Sequence, residues 1–137
     1  MTKRSEIPPR LHELEALVME QVWRRETATV RDVMDAINES APKPRAYTTV
    51  MTIMDRLHRK GLLNRRSERN TYIYTARLSR TEYAHVRAET EVDALVSEWG
   101  DVALAHFAKQ MGNLDPKRRE QLRRLAGGAV ALAASID

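Results

Sequence analysis

Residues 46–61, AYTTVMTIMDRLHRKG, and the two short segments that follow them constrain this chain more than any other feature. Ala46, Val50, Ile53, Met54 and Leu57 recur at helical spacing and give one apolar stripe, so a helix is expected from about Tyr47 to Lys60. Gly61 suits the position just past a helix C-terminus, where a left-handed backbone is wanted. The period then changes. Residues 62–66 (LLNRR) and 71–75 (TYIYT), the second strongly β-favouring, are joined by Ser67-Glu-Arg-Asn and predict a β-hairpin with a basic, polar tip. With Val50 at zero and ~100° per residue, Thr48, Thr52, Asp55 and Arg59 fall within ~40° of the opposite pole. Thr49 and Arg56 lie on one flank and Met51 on the other. The outer face of this helix therefore opens with small hydroxyl residues and closes with arginines, an arrangement an enzyme core rarely needs.

Two helices precede it. From His12 to about Arg25, Leu14, Leu17, Val18 and Val22 form a stripe that Met19 and Trp23 widen. Thr29 offers an N-cap with Asp32 three positions on, and Val30, Val33, Met34 and Ile37 carry the second helix to about Asn38 or Glu39. Two prolines in Ser40-Ala-Pro-Lys-Pro make the following stretch a loop. Helix, helix, helix, hairpin is the order of a winged helix-turn-helix, expected over residues 11–78 behind a flexible arm at 1–10.

From Ser79 the chain reads as helical again. Ser79 and Glu82 suit a capping box, and Gly100 marks a bend or break. Gly112-Asn113 ends that region, and Asp115 and Pro116 start another helix that carries Leu122 and Leu125. Tyr83, Val86, Leu95, Val96, Trp99, Val102 and Phe107 recur at helical intervals, more apolar surface than two or three helices can bury alone. Residues 79–126 are thus expected to pack against the same helices of a second chain, a homodimer. The tail, 127–137, either extends the last helix or frays. The expected fold class is mainly α with a small β-hairpin wing: a winged helix-turn-helix DNA-binding domain plus a C-terminal helical dimerisation domain.

Charge and composition narrow the function. Residues 1–78 carry a formal balance of +5 and residues 79–137 one of −1. Within residues 43–69, eight basic side chains stand against only Asp55 and Glu68. Such a patch concentrates a polyanion near the surface and releases its counterions on contact. The chain has no cysteine, which excludes disulfides, Cys-ligated metals and thiol nucleophiles. His12, His58, His85 and His106 form no metal-ligand spacing, and no phosphate-binding glycine loop or nucleophile elbow is present, so neither catalysis, a metal nor a cofactor is expected. The N-terminal residues lack an apolar core for a secretory signal, and no run approaches the ~20 residues of a membrane span. A cytoplasmic protein with no membrane partner is expected, associated with the nucleoid if its polyanion is DNA.

The partner these features suit is double-stranded DNA. A major groove ~12 Å wide admits one helix, whose N-terminal residues meet base edges. Thr48, Thr49, Met51 and Thr52 are the candidate base readers: a threonine offers a hydroxyl and a methyl, and Met51 suits either a thymine methyl or local packing. Arg45, Tyr47, Arg56, Arg59 and Lys60, with Arg65, Arg66, Arg69 and Tyr72 on the hairpin, are the candidates for backbone and wing contacts.

The segments Glu15-Ala-Leu-Val-Met-Glu-Gln-Val-Trp23, Thr29-Val-Arg-Asp-Val, residues 46–61 and Tyr72-Ile-Tyr74 resemble the penicillinase-repressor (BlaI/MecI) family of winged-helix regulators. The resemblance covers roughly residues 11–125, and the Tyr-Thr-Thr-Val-Met-Thr stretch is its specific part. It implies a homodimeric repressor on a palindromic operator, controlling β-lactamase or related stress and resistance genes. It also implies derepression by loss of dimerisation or by a sensor-activated protease that cuts the dimerisation domain. Relatives cut at an Asn-Phe bond, and the matching stretch here carries His106 and Phe107 as the candidate cleavage site. The Cys-rich motif of copper-responsive relatives is missing, which excludes copper sensing by that chemistry. The alternative reading is a small-molecule-responsive regulator of the MarR type.

Overall fold

The computed structural model describes the backbone of residues 7–136 and the side chains of residues 7–127. Its elements are α1 (Glu13–Trp23), α2 (Val30–Asn38), α3 (Tyr47–Arg59), the strands β1 (Leu63–Glu68) and β2 (Thr71–Ala76), then α4 (Arg80–Trp99), α5 (Asp101–Gly112) and α6 (Pro116–Ile136). The fold is mainly α with a two-stranded hairpin, the winged-helix order expected from the period change at Gly61. Two compact units divide between Glu91 and Val92.

The first unit is built around α1, which packs against α2, α3 and β2. Val18, Met19 and Val22 of α1, Val30, Val33 and Ile37 of α2, and Val50, Ile53, Met54 and Leu57 of α3 meet in one core with Leu62, Leu63 and Tyr74. The buried arc of α1 holds Val18, Met19 and Val22 as the expected stripe requires, but it also takes in Glu15, whereas Leu17 is 46% exposed. The Glu15 carboxylate is tolerated inside because it is paired. It accepts from the His12 backbone N–H at 2.9 Å and from Lys60 Nζ at 2.7 Å, so a charged residue occupies a core-facing position.

Local chemistry sets the ends of each element. Thr29 and Asp32 form the reciprocal cap of α2: the Asp32 N–H donates to Thr29 Oγ1 at 3.1 Å, and the Thr29 N–H donates to Asp32 Oδ2 at 3.0 Å. Helix α3 closes at Gly61, whose φ is +82°. The Gly61 N–H donates to the His58 carbonyl at 3.1 Å and the Leu62 N–H to the Leu57 carbonyl at 2.9 Å. These bonds satisfy the last carbonyls of α3 and bring buried Leu62 to buried Leu57.

Strands β1 and β2 pair antiparallel from Leu63↔Ala76 to Glu68↔Thr71. They run further than the sequence suggested and leave a two-residue turn, Arg69-Asn70, with φ of +50° and +65°. That geometry matches the right-handed twist of the strands. A bridge between Ala28 and Tyr74, with N–H···O distances of 3.0 and 2.9 Å, fastens the hairpin to the loop between α1 and α2.

The first turns of α4 belong to this unit. Trp23 Nε1 donates to the Leu78 carbonyl at 2.9 Å, and the Trp23 and Tyr83 rings lie 5.6 Å apart. Arg80 pairs with Glu20. Residues 8 and 9, read from sequence as part of a flexible arm, lie against α4: the Tyr83 hydroxyl donates to the Pro9 carbonyl at 2.8 Å and Arg87 Nη1 to the Pro8 carbonyl at 3.0 Å.

The second unit is helical. Gly100, at φ +54°, separates α4 from α5. Asn113 caps the end of α5, and Asp115 accepts from the Arg118 N–H at 2.8 Å to start α6 behind Pro116. The backbone of α6 stays helical past Gly127-Gly128 to Ile136, so the last helix extends through the stretch left open in the sequence. No residue of α4 or α5 is buried in the single chain.

Candidate nucleic-acid interface

Helix α3 is held from beneath by Val50, Ile53, Met54 and Leu57, which leaves its opposite face outward. Thr48, Thr49, Met51 and Thr52 are all exposed on that side. Asn38 positions the entry to the helix, accepting from the Arg45 N–H at 2.7 Å and donating to the Arg45 carbonyl at 3.1 Å. Ala46, at the N-cap, has no side chain that caps the first turn. The first N–H groups of α3 therefore lack a side-chain acceptor and, with the helix dipole, favour an anion. Tyr47 is exposed beside them, and the Arg31 guanidinium lies 5.9 Å from its ring centroid. Sequence reasoning passed over Arg31; its signal was an exposed cation on α2, one helix away from the helix of interest.

The predicted basic residues fall into two groups. The side chains of Arg45, Arg56 and Arg69 are exposed with no ion-pair partner among the described residues. Arg69 sits at the tip of the hairpin turn. The other cations have protein partners. Lys60 reaches inward to Glu15 at 2.7 Å and is 29% exposed. Arg59 Nη2 lies 2.9 Å from Asp55 Oδ2, and Arg65 Nη1 lies 2.8 Å from Asp55 Oδ1. Arg66 pairs with Glu68 at 3.1 Å across exposed side chains. The Arg65 guanidinium also lies 4.1 Å from the Tyr72 ring centroid and 3.4 Å from the Tyr74 hydroxyl, linking α3 to both strands of the wing.

These pairs set the electrostatics. The hydrogen bond from Arg65 holds the Asp55 carboxyl below the usual carboxylate range, against partial burial, and the Arg59 charge adds to it. Burial pushes Glu15 upward, but the Lys60 hydrogen bond and the His12 N–H outweigh it, and the Glu15 carboxyl ends below its ordinary value. Between α3 and the wing lies a concavity of about 460 Å³, lined by Tyr47, Met51, Thr52, Asp55, Arg65 and Tyr72.

The residues expected to pair two chains are distributed differently. Tyr83 is half-buried against Trp23 within its own chain, and Val86 is half-buried one turn on. Leu95, Trp99, Val102 and Leu125 are exposed, together with Val92 and Leu104; Val96, Phe107 and Leu122 are half-buried. His106 is exposed and Phe107 half-buried in consecutive positions inside α5. Among the described residues no group of three or more His, Cys, Asp or Glu is placed to hold a metal, and no helix is long and apolar enough to cross a membrane.

A three-helix core with a hairpin wing and an exposed, hydroxyl-bearing third helix is a winged helix-turn-helix. Residues 11–127 match the penicillinase repressor family. A transcriptional regulator BlaI from Mycobacterium tuberculosis is 38% identical over 108 residues, 75% of each chain. A penicillinase repressor from Bacillus licheniformis is 25% identical over 85 residues, 60% of this chain and 62% of that one. The solution structure of the DNA-binding domain of the repressor BlaI is 25% identical, with a TM-score of 0.48, and covers 56% of this chain and 90% of its own. The chain belongs to the penicillinase repressor (BlaI/MecI) family of winged-helix regulators.

Proposed function

We propose that this chain is a homodimeric repressor that places α3 of each copy in the major groove of a palindromic operator. The observation that carries the reading is the outward face of α3. Thr48, Thr49, Met51 and Thr52 stand exposed at its N-terminal end, and Arg45, Arg56 and Arg69, without ion-pair partners among the described residues, flank it. On this reading the threonine hydroxyls meet base edges, the first-turn N–H groups and Thr49 take a phosphate, and the wing lies along the backbone beside the groove. Arg59, Lys60, Arg65, Arg66 and Tyr72 supply the remaining contacts to the extent that their protein partners release them.

Dimerisation is supported by the apolar surface of the second unit. Val92, Leu95, Trp99, Val102 and Leu104 are exposed in the single chain, and a second copy would remove them from water. Two heads on one dimer turn the second half-site contact into an intramolecular event and raise affinity without new base contacts. Derepression then follows from separating the heads, by loss of dimerisation or by a sensor-activated protease cutting at His106-Phe107. That bond lies within α5, so cutting requires the helix to unwind locally first. The controlled genes are β-lactamase or related stress and resistance genes, a reading supported by the name of the relative from Bacillus licheniformis.

Fluorescence anisotropy with operator and random duplexes over a range of salt tests the DNA role. Arg56→Gln should weaken binding to every sequence and lower the salt slope by about 1. A flat salt dependence with no preference for any promoter fragment would overturn it. Genome-wide occupancy would identify the genes.

A further inference from the structure

Asp55 is out of place on the surface described above. It lies on the outward side of α3, one turn beyond Thr52, where a carboxylate faces the phosphates that the neighbouring cations would attract. It is not idle there. Its two oxygens take two different arginines, Arg59 on the next turn of its own helix at 2.9 Å and Arg65 on β1 at 2.8 Å. Arg65 is further restrained by the Tyr72 ring at 4.1 Å, and its side chain is only 21% exposed. Arg56, on the same helix, is exposed with no partner among the described residues.

Non-operator binding comes from neutralising phosphates, whereas preference for an operator comes from base contacts. A carboxylate that occupies two arginines and adds a negative charge of its own therefore acts on the first term and leaves the threonines of the second untouched. We infer that Asp55 is an affinity-tuning residue, which withholds Arg59 and Arg65 from the phosphates of any duplex. The inference rests on the proposed DNA-binding role and deepens it. Asp55 lowers affinity and salt dependence for operator and random duplex alike, and leaves their ratio to the base-reading threonines.

The test measures operator and random-duplex binding by the full-length protein against salt concentration. Asp55→Asn should tighten binding to both duplexes, steepen both salt slopes by ~0.9 for each arginine released, and leave the ratio between operator and random affinities nearly unchanged. The partner variants remain informative even if Asp55→Asn folds poorly. With Asp55 present, Arg65→Gln should leave the slope nearly unchanged while Arg56→Gln lowers it by about 1. In the Asp55→Asn background, Arg65→Gln should remove about one unit of the newly gained slope.

If Arg65→Gln lowers the slope by about 1 with Asp55 intact, Arg65 is already on the phosphates and the inference fails. It also fails if Asp55→Asn changes preference at a single operator position without moving the slope, because Asp55 would then read a base directly. Failure of the unsubstituted protein to bind either duplex would instead overturn the DNA-binding role itself.

Discussion

Glu15 and Asp55 each anchor a cation, yet their surroundings give them different consequences. Glu15 is 1% exposed and Lys60, its partner, still reaches water. Removing the cation leaves a carboxylate buried without its countercharge, so Lys60→Met should destabilise the protein by about 3 kcal/mol. Glu15→Gln keeps an acceptor for the His12 N–H and lets Lys60 turn to solvent, and should cost about 1 kcal/mol in the same urea titration. Folding depresses the Glu15 carboxyl, so its stabilising contribution is complete above the ordinary carboxylate range. That contribution fades as the pH falls through the lowered value. Glu15→Gln should therefore flatten the acid side of the stability profile, read from urea midpoints at descending pH. At the reading face, Thr48→Ala or Thr52→Ala should chiefly relax sequence preference and leave the salt slope alone, measured against a panel of operator variants. The exposed threonines and arginines of α3 could be placed from sequence because a helical repeat assigns each residue a side. The pairing of Lys60 with Glu15 could not, because 45 residues separate partners that only the fold brings to 2.7 Å.

Elements were readable where a local rule sets them. Gly61 ends α3 because its φ of +82° is costly for any residue with a Cβ. Gly61→Ala should cost about 1–2 kcal/mol in equilibrium unfolding. The Thr29–Asp32 cap and the Asp115-Pro116 start of α6 follow from equally local chemistry. The sequence predicts the hairpin but too long a turn: neither Arg69 nor Asn70 is glycine, and the strand pairing carries both into the left-handed region. Helix α1 shows the limit of a stripe read by hydrophobicity alone. Leu17 belongs to the apolar pattern yet lies 46% exposed, beside a groove lined by Ala36, Ile37 and Pro42. Met19 is fully buried. Met19→Ala should cost about 2–5 kcal/mol, and Leu17→Ala well under half of that, compared by thermal denaturation.

Across the molecule, the first unit extends to Glu91 because Tyr83 and Arg87 engage Trp23, Pro8 and Pro9. A fragment ending at residue 78 lacks those partners and leaves the Trp23 ring uncovered on that side. It should melt below a fragment ending at residue 91, measured by circular dichroism. Both fragments should bind an operator far more weakly than the full chain if the second unit joins two copies. Leu95→Glu with Trp99→Glu would place charge on that exposed apolar surface. The double variant should sediment as a monomer and lose operator affinity while random-duplex binding per head is retained.

The order of helices and hairpin, the outward threonines of α3 and the local caps were all contained in the order of residues, because each depends on periodicity or on neighbours within one helical turn. The buried Glu15, the arginines gathered on Asp55 and the strap of Pro8 and Pro9 on α4 depended on the folded chain. Each joins groups that are distant in sequence, and burial or charge becomes favourable only once packing supplies the missing partner.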